Sequence, residues 1–269
     1  MAIVKGTIVM TGGFGTACFY TVRGSDKVIA RTKGGASKEK IKTSPKFAGL
    51  RKQQKEWSGC AKFGSVARYA MGGLHRLADY NITPVLNGMG KSLMKLDTES
   101  EIGKRHLRLS AYRQALEGFN LNRNYPLNTV LRVNYRCELN RETLNAIVHF
   151  PRINTAIDLL NVQRLPFFRL IVSIGIVSDL HYNTAHNDYE PTLPSLHGIS
   201  ETTTGEWQST QTILPEHTMT AAFGKIELAD MANAATLLVC IAVEFGNVGF
   251  TGEPVEVKYA GSAKVVAVG

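Results

Sequence analysis

Between residues 131 and 139 the chain alternates without a slip: Leu131, Val133, Tyr135, Cys137 and Leu139 are separated by Arg132, Asn134, Arg136 and Glu138. A strand has a side-chain period of two, so this stretch predicts one face in the core and one in water. After the polar turn Asn140-Arg141-Glu142 the spacing resumes in Leu144, Ala146, Val148 and Phe150. Two such runs across a short turn predict a hairpin with both apolar faces on one core. Further strands are expected over 153–160, 167–177, 207–214, 218–226, 236–245, 255–260 and 263–268. Many short strands with short connections predict an antiparallel β-sandwich.

Upstream of Tyr125-Pro126 the period differs. Residues 3–10, 17–22 and 27–32 read as strands, separated by Thr11-Gly12-Gly13-Phe14-Gly15 and by Arg23-Gly24-Ser25-Asp26, where glycine suits a turn. A polar, lysine-rich loop is expected over 34–43. Ser44-Pro45 and Thr83-Pro84 each set an N-cap residue before a proline at the first helical position. These signals predict helices over 45–57, 60–79 and 83–96, with another after Ser110 that ends near Gly118. The fold class is therefore α+β: an N-terminal β-meander with a helical middle segment, followed by an antiparallel β-sandwich. Domains are expected over 1–125 and 126–269. Residues 183–205 carry Pro191, Pro194 and Gly198 without apolar periodicity, and a loop of that length in a compact domain points to function.

The formal charge of +9 is concentrated. Arg23 to Arg76 holds 14 Lys or Arg against Asp26, Glu39 and Glu56, a balance of +11; the remainder holds 17 against 19, or −2. Lys38, Lys40, Lys42, Lys46, Arg51, Lys52 and Lys55, with Phe47 and Trp57 among them, are the candidate contacts to nucleic acid or to an acidic protein surface. No known nucleic-acid module matches the segment.

Cys18, Cys60, Cys137 and Cys240 are far apart and form no CxxC pair. Zinc sites need closely spaced ligands, so reduced thiols are expected, with Cys137 and Cys240 acting as small core residues. The start of the chain lacks the basic, apolar and small-residue pattern of a signal peptide. No apolar run reaches the ~18 residues of a membrane helix. A cytoplasmic location without a membrane span is expected, with release by lysis or a specialised system left open.

Three motifs suggest chemistry. Gly90-Lys91-Ser92 matches the end of a phosphate-binding loop, but Val85 stands where its first glycine belongs and a helix precedes it. A solvated helical lysine is the expected role. Gly13-Phe14-Gly15 is half of a dinucleotide fingerprint, with a strand following where a helix is required. Asp179, His181, His186 and Asp188 form a group able to ligate a divalent ion, although the same residues are ordinary turn formers. No hydrolase or metalloprotease signature occurs, and scattered carboxylates such as Glu138 and Asp158 define no site. No cofactor, metal or catalytic residue is assigned, and the chain is expected not to be an enzyme.

Phe19-Tyr20, Arg31-Thr32-Lys33-Gly34-Gly35-Ala36-Ser37-Lys38 and Phe47-Ala48-Gly49-Leu50-Arg51 stand in the N-terminal part. Leu116-Glu117-Gly118-Phe119-Asn120-Leu121-Asn122 and Leu238-Val239-Cys240-Ile241-Ala242-Val243-Glu244-Phe245 follow. With these segments the chain resembles an uncharacterised family of Bacteroidetes proteins across most of its length. The resemblance implies the domain order and no chemistry.

The expected function is that of a structural or assembly protein that self-associates into oligomers or filaments. Its motive is the placement of strands at 3–10 and 263–268, where unpaired edges can accept another subunit. The charge contrast between segments would align copies head to tail. The alternatives are a nucleic-acid-associated protein using residues 23–76 and a lectin-like sandwich using the 183–205 loop.

Overall fold

A serine starts the first helix, inside the segment expected to be a loop. The Ser37 hydroxyl accepts from the Lys40 N–H and so satisfies one of the free donors of helix α1, Lys38–Thr43. No side chain of α1 is buried; its carbonyl end is held by Arg51, which donates to the Ile41 and Ser44 carbonyls at 2.7 and 2.8 Å. The computed structural model describes residues 2–4, 10–21, 27–224 and 232–269. The expected turn at 23–26, most of the first strand and the end of the strand over 218–226 lie outside them.

The chain divides into two compact units, Met1–Arg51 and Lys52–Gly269. In the first, β1 (Ala2–Val4), β2 (Gly12–Phe14), β3 (Ala17–Thr21) and β4 (Val28–Thr32) form an antiparallel sheet in the order β1-β4-β3-β2. The strands expected over 17–22 and 27–32 pair as β3 and β4, but the segment expected to be a turn at 11–15 holds β2, which takes the place beside β3. The first strand pairs instead with β4, through Ala2–Ala30 and Val4–Val28.

Helix α2 runs unbroken over Ala48–Ala70, where two helices were expected. Ser58-Gly59 reads as a break, yet Gly59 is where the helix meets the Tyr189 ring: a Cβ there would stand 2.8 Å from it. The helix ends at Gly72 and Gly73, both at positive φ, followed by a 3-10 turn over Leu74–Leu77. Helix α3 covers Thr83–Met94. The helix expected after Ser110 is a 3-10 stretch, Leu109–Leu116, kinked at Tyr112. A single turn, α4, covers Leu127–Val130.

Beyond it the strands are β5 (Arg136–Asn140), β6 (Asn145–Phe150) and β7 (Ile153–Asn154), then the turn α5 (Thr155–Asp158). The strand expected over 153–160 is cut short because the Asn154 side chain accepts from the Ala156 N–H and caps a helical turn. Next come β8 (Phe167–Ser178), β9 (Leu180–Asn183), β10 (Asp188–Pro191) and β11 (Ser200–Thr204). The expected loop at 183–205 thus holds half a hairpin and a strand that pairs with β8. The last strands are β12 (Gln208–Ser209), β13 (Ile213–Leu214), β14 (His217–Ala222), β15 (Ala235–Val248) and β16 (Pro254–Val268). The two strands expected over 255–268 are one, interrupted by a bulge.

The second unit has three layers. Its central antiparallel sheet has the order β11-β8-β15-β16, with β12 also on β8; a second sheet has the order β14-β6-β5. Leu170, Val172, Ile174 and Ile176 of β8 and Leu237, Val239, Ile241 and Val243 of β15 face Ala146, Val148 and Phe150 of β6. The alternate residues Ile171, Val177, Leu238, Cys240 and Ala242 face Phe63, Ala67, Met71, Leu74 and Leu77 on the helical side. Both faces of β8 and β15 are covered, so these strands read as continuous apolar runs while β5 alternates. The alternation expected from Leu131 is present in burial, with Val133, Tyr135, Cys137 and Leu139 on the core and Arg132, Asn134, Arg136 and Glu138 exposed, but the ladder with β6 starts only at Arg136 and residues 132–135 are not in a strand. Cys137 pairs with Val148 and Leu139 with Ala146. The fold is α+β. Residue 125, where the sequence period changes, lies inside the second unit, because the helices before it form the back layer of the central sheet.

Candidate functional site: the β15–β16 hairpin

Pairing of β15 with β8 ends at Gly246–Phe167, while β15 continues to Val248 and turns back at Pro254. The overhang of Asn247 to Phe250 carries the tip roughly 10 Å past the sheet. The turn closes through Gly249 N–H to the Glu253 carbonyl at 2.8 Å and Gly252 N–H to the Gly249 carbonyl at 3.0 Å. Phe250 at its end is fully exposed, and Val248, Val255 and Tyr259 are each about half exposed. Solvent-facing apolar residues grouped on a projecting element are a feature of contact surfaces.

Charge anchors the base of this arm. Glu244 is 1% exposed and receives two arginines: Arg76 from the 3-10 turn at 2.7 Å and Arg169 from β8 at 2.6 Å. A buried carboxylate is tolerable only with such partners, and removing one would leave an uncompensated charge. The Trp207 ring stacks on the Arg169 guanidinium at 4.2 Å and lies over Gly246, where a Cβ would stand 2.7 Å from it. Glu256 reaches the outer side of the same guanidinium at 3.5 Å and is largely exposed.

Just above this network the register jumps. Glu244 pairs with Gly261 and Gly246 with Glu256, so Phe245 faces four residues, Val257 to Ala260. Tyr259 takes φ +61°, a left-handed conformation costing a non-glycine residue about 1 kcal/mol or more. Gly261 is required where the strand rejoins: a Cβ would stand 2.4 Å from the Val243 carbonyl oxygen. The strained turn presents the Tyr259 ring outward, with the Lys258 ammonium 4.9 Å from its centroid. Below it lies an apolar cleft lined by Tyr125, Val130, Leu160, Val162 and Phe245. A second cleft of about 280 Å³ has Phe168, Leu170, Leu214 and Met219 for its floor, with Gly205, Glu206 and His217 also lining it.

The outer edge of β16 is divided. At its C-terminal half Leu121 N–H donates to Ala263, Gly118 N–H donates to Val265, and Val265 N–H donates to Phe119. The edge at 263–265 is therefore occupied, contrary to the expectation that the terminal strand offers a free edge. Between Val255 and Lys258, among the described residues, no segment other than β15 bonds to the backbone.

The sequence candidates are scattered by comparison. Lys38, Lys40, Lys42 and Lys46 are exposed in the first unit, and Arg51 there is spent on holding α1. In the second unit Lys52 is exposed, whereas Lys55 donates to Tyr182 and Asn187 at 3.0 and 2.6 Å. Three of the four possible metal ligands have separate partners. Asp179 is buried and accepts from the Ser110 N–H and hydroxyl, Asp188 pairs with Lys62, and His186 pairs with Glu190. Burial raises the Asp179 carboxyl, a neutralising tendency that the Ser110 bonds oppose. Among the described residues no three His, Cys, Asp or Glu side chains are placed to hold a metal ion.

Gly90-Lys91-Ser92 has a packing role, not the solvated one expected. Gly90 lets α3 meet Phe63, where a Cβ would stand 2.8 Å from the ring, and Lys91 pairs with the fully buried Glu56 of α2. Arg105 bonds both oxygens of that carboxylate at 2.7 Å, and the Gly103 N–H adds a bond at 2.8 Å. Burial raises the Glu56 carboxyl, but these donors outweigh it and hold its pKa at about 2. Cys240 is fully buried and its thiol is pushed up to about 12; burial raises Cys60 and half-buried Cys137 to about 11. Such thiols are protonated core residues.

No protein family, curated protein or solved structure matches the chain. The class that the fold defines is an α+β protein whose central sheet lies between a helical layer and a second antiparallel sheet, with an anchored hairpin projecting from one end. Among the described residues no helix is long and apolar enough to cross a membrane.

Proposed function

We propose that this is a non-enzymatic assembly protein that self-associates through the β15–β16 hairpin and works in the cytoplasm. The observation that carries the reading is the exposure of Val248, Phe250, Val255 and Tyr259 on an arm whose base is fixed by Glu244, Arg76 and Arg169. A rigid arm loses little conformational freedom on docking, so more of the apolar burial is retained as affinity. The partner is a second copy because the same hairpin carries both signs of charge, Glu256 and Lys258, beside its apolar residues. Light scattering on the purified chain during gel filtration, in low and in moderate salt, tests it. Species larger than one chain are expected, and Val248→Ser with Phe250→Ser should return them to monomer with an unchanged circular dichroism spectrum. A wild-type chain that stays monomeric at high concentration in both salts overturns the reading.

A second reading has an observation of its own. Lys38, Lys40, Lys42 and Lys46 are all exposed and, among the described residues, none has an ion-pair partner. Four free cations within nine residues support contact with phosphates or with an acidic protein surface.

A further inference from the structure

We propose that the cleft between β8 and β14 binds a small primary amine with an apolar body, of the arylalkylamine class, whose ammonium is held by Glu206 and His217. The site lies apart from the hairpin and does not depend on the assembly reading. Its floor is formed by Phe168 and Leu170 of β8 and Met219 of β14, all buried, and its volume of about 280 Å³ suits one ring with a short chain. Gly205 keeps that floor within reach, since a Cβ there would stand 3.6 Å from the Met219 methyl.

An irregularity in the central sheet brings the carboxylate to this cleft. Thr204 pairs with Ile171, which faces the helical layer, whereas Gln208 pairs with Phe168, which faces the second sheet. Residues four apart in a regular strand share a face, so one residue here is extra: Gly205, Glu206 and Trp207 stand against Leu170 and Arg169 alone. Trp207 goes with Arg169 to the helical side, which leaves Gly205, Glu206 and Gln208 lining the cleft. In an unbroken strand Glu206 would share the face of Thr204, beside Arg169. Bulges re-aim side chains in this way next to functional sites. Glu206 is exposed and has no ion-pair partner among the described residues. The opposite wall adds a second acceptor. The His217 ring is stacked on Phe150 at 5.2 Å, and its Nδ1 lies 3.1 Å from the Pro215 carbonyl oxygen. A carbonyl only accepts, so Nδ1 carries the proton and Nε2 of the neutral ring is left as an acceptor. Two acceptors above an apolar floor select the head group. An ammonium supplies three donors and the complementary charge, a hydroxyl supplies one donor and no charge, and a carboxylate or phosphate meets Glu206 with like charge.

Methionine-methyl NMR reads the floor of the cleft directly. The chain, labelled at its methionine methyl groups, is titrated with phenylethylamine and, separately, with phenylpropanoate, which has the same ring on a short chain and the opposite charge. Met219→Leu identifies the Met219 signal by its loss. The amine should shift that signal with a Kd of about 1 mM or tighter, and the acid should leave it in place. Glu206→Gln, at an exposed position, should keep the methionine spectrum of the folded protein and weaken the amine by about tenfold through loss of a charge-assisted bond. The proposal is overturned if the Met219 signal stays unmoved up to about 10 mM amine. It is equally overturned if the acid binds as tightly as the amine, or if Glu206→Gln binds the amine as the wild type does.

Discussion

Gly175 on β8 and Ala70 at the end of α2 are in direct contact: a Cβ on the glycine would lie 1.8 Å from the Ala70 carbonyl oxygen. The neighbouring Gly72 meets Ser173 in the same way, with a Cβ 2.6 Å from that side chain. At this crossing the helical layer comes down onto the central sheet, and only a residue without a side chain lets it do so.

Gly175→Ala should therefore destabilise the second unit by about 3 kcal/mol, at the upper end for overpacking, because the clash is with backbone that cannot rotate away. A denaturant titration followed by circular dichroism would show a lower midpoint at an unchanged slope. Gly88→Ala on α3, where a Cβ has open space around it, should be neutral or slightly stabilising.

Glu56 makes stability depend on acid. Its folded pKa of about 2 lies below the ordinary value of 4.5, so the carboxylate form favours the fold. The contribution is complete above about pH 4.5 and is lost as pH falls towards 2, on the order of 3 kcal/mol in all. Glu56→Gln should flatten that part of the stability curve. At neutral pH it should cost about 3–5 kcal/mol, because Lys91 and Arg105 are left facing each other without a counter-charge. Thermal midpoints between pH 2 and 7 for both proteins check the sign; an unchanged acid limb in the variant would refute it.

For the lysines of the first unit, retention of the protein on nucleic acid should fall steeply with salt, since each neutralised phosphate releases condensed counterions. Replacing Lys38, Lys40, Lys42 and Lys46 by Gln should reduce the slope of log affinity against log salt by up to about 0.9 for each duplex phosphate that is no longer neutralised. A wild-type protein not retained at low salt removes this second reading.

The sequence by itself determined several features that depend on neighbours along the chain. The alternation from Leu131 to Phe150 set which residues of that stretch face the core, because a period of two leaves no other arrangement of its apolar set. Pro84 in the first turn placed α3, although Thr83 lies inside the helix and does not cap it, and the period change near residue 125 marked the end of the long helices. Ser37 carried a cap signal, hidden by the polar helix it starts.

Contacts between distant segments were decided only in the tertiary structure. Gly59 looks like a helix break and is an aromatic contact with Tyr189, and Gly175 looks like a weak point in a strand and is the seat of α2. Lys91 resembles a phosphate ligand and neutralises Glu56, 35 residues away. The candidate site shows the difference most plainly. Residues 255–260 and 263–268 read as two strands, but the bulge at Val257–Ala260, the left-handed Tyr259 and the filled edge at 263–265 arise from pairing with Glu244, Gly246 and Gly118–Leu121. Local pattern fixes which way a side chain points. Which edge stays open depends on what the rest of the chain covers, and that is a property of the packed whole.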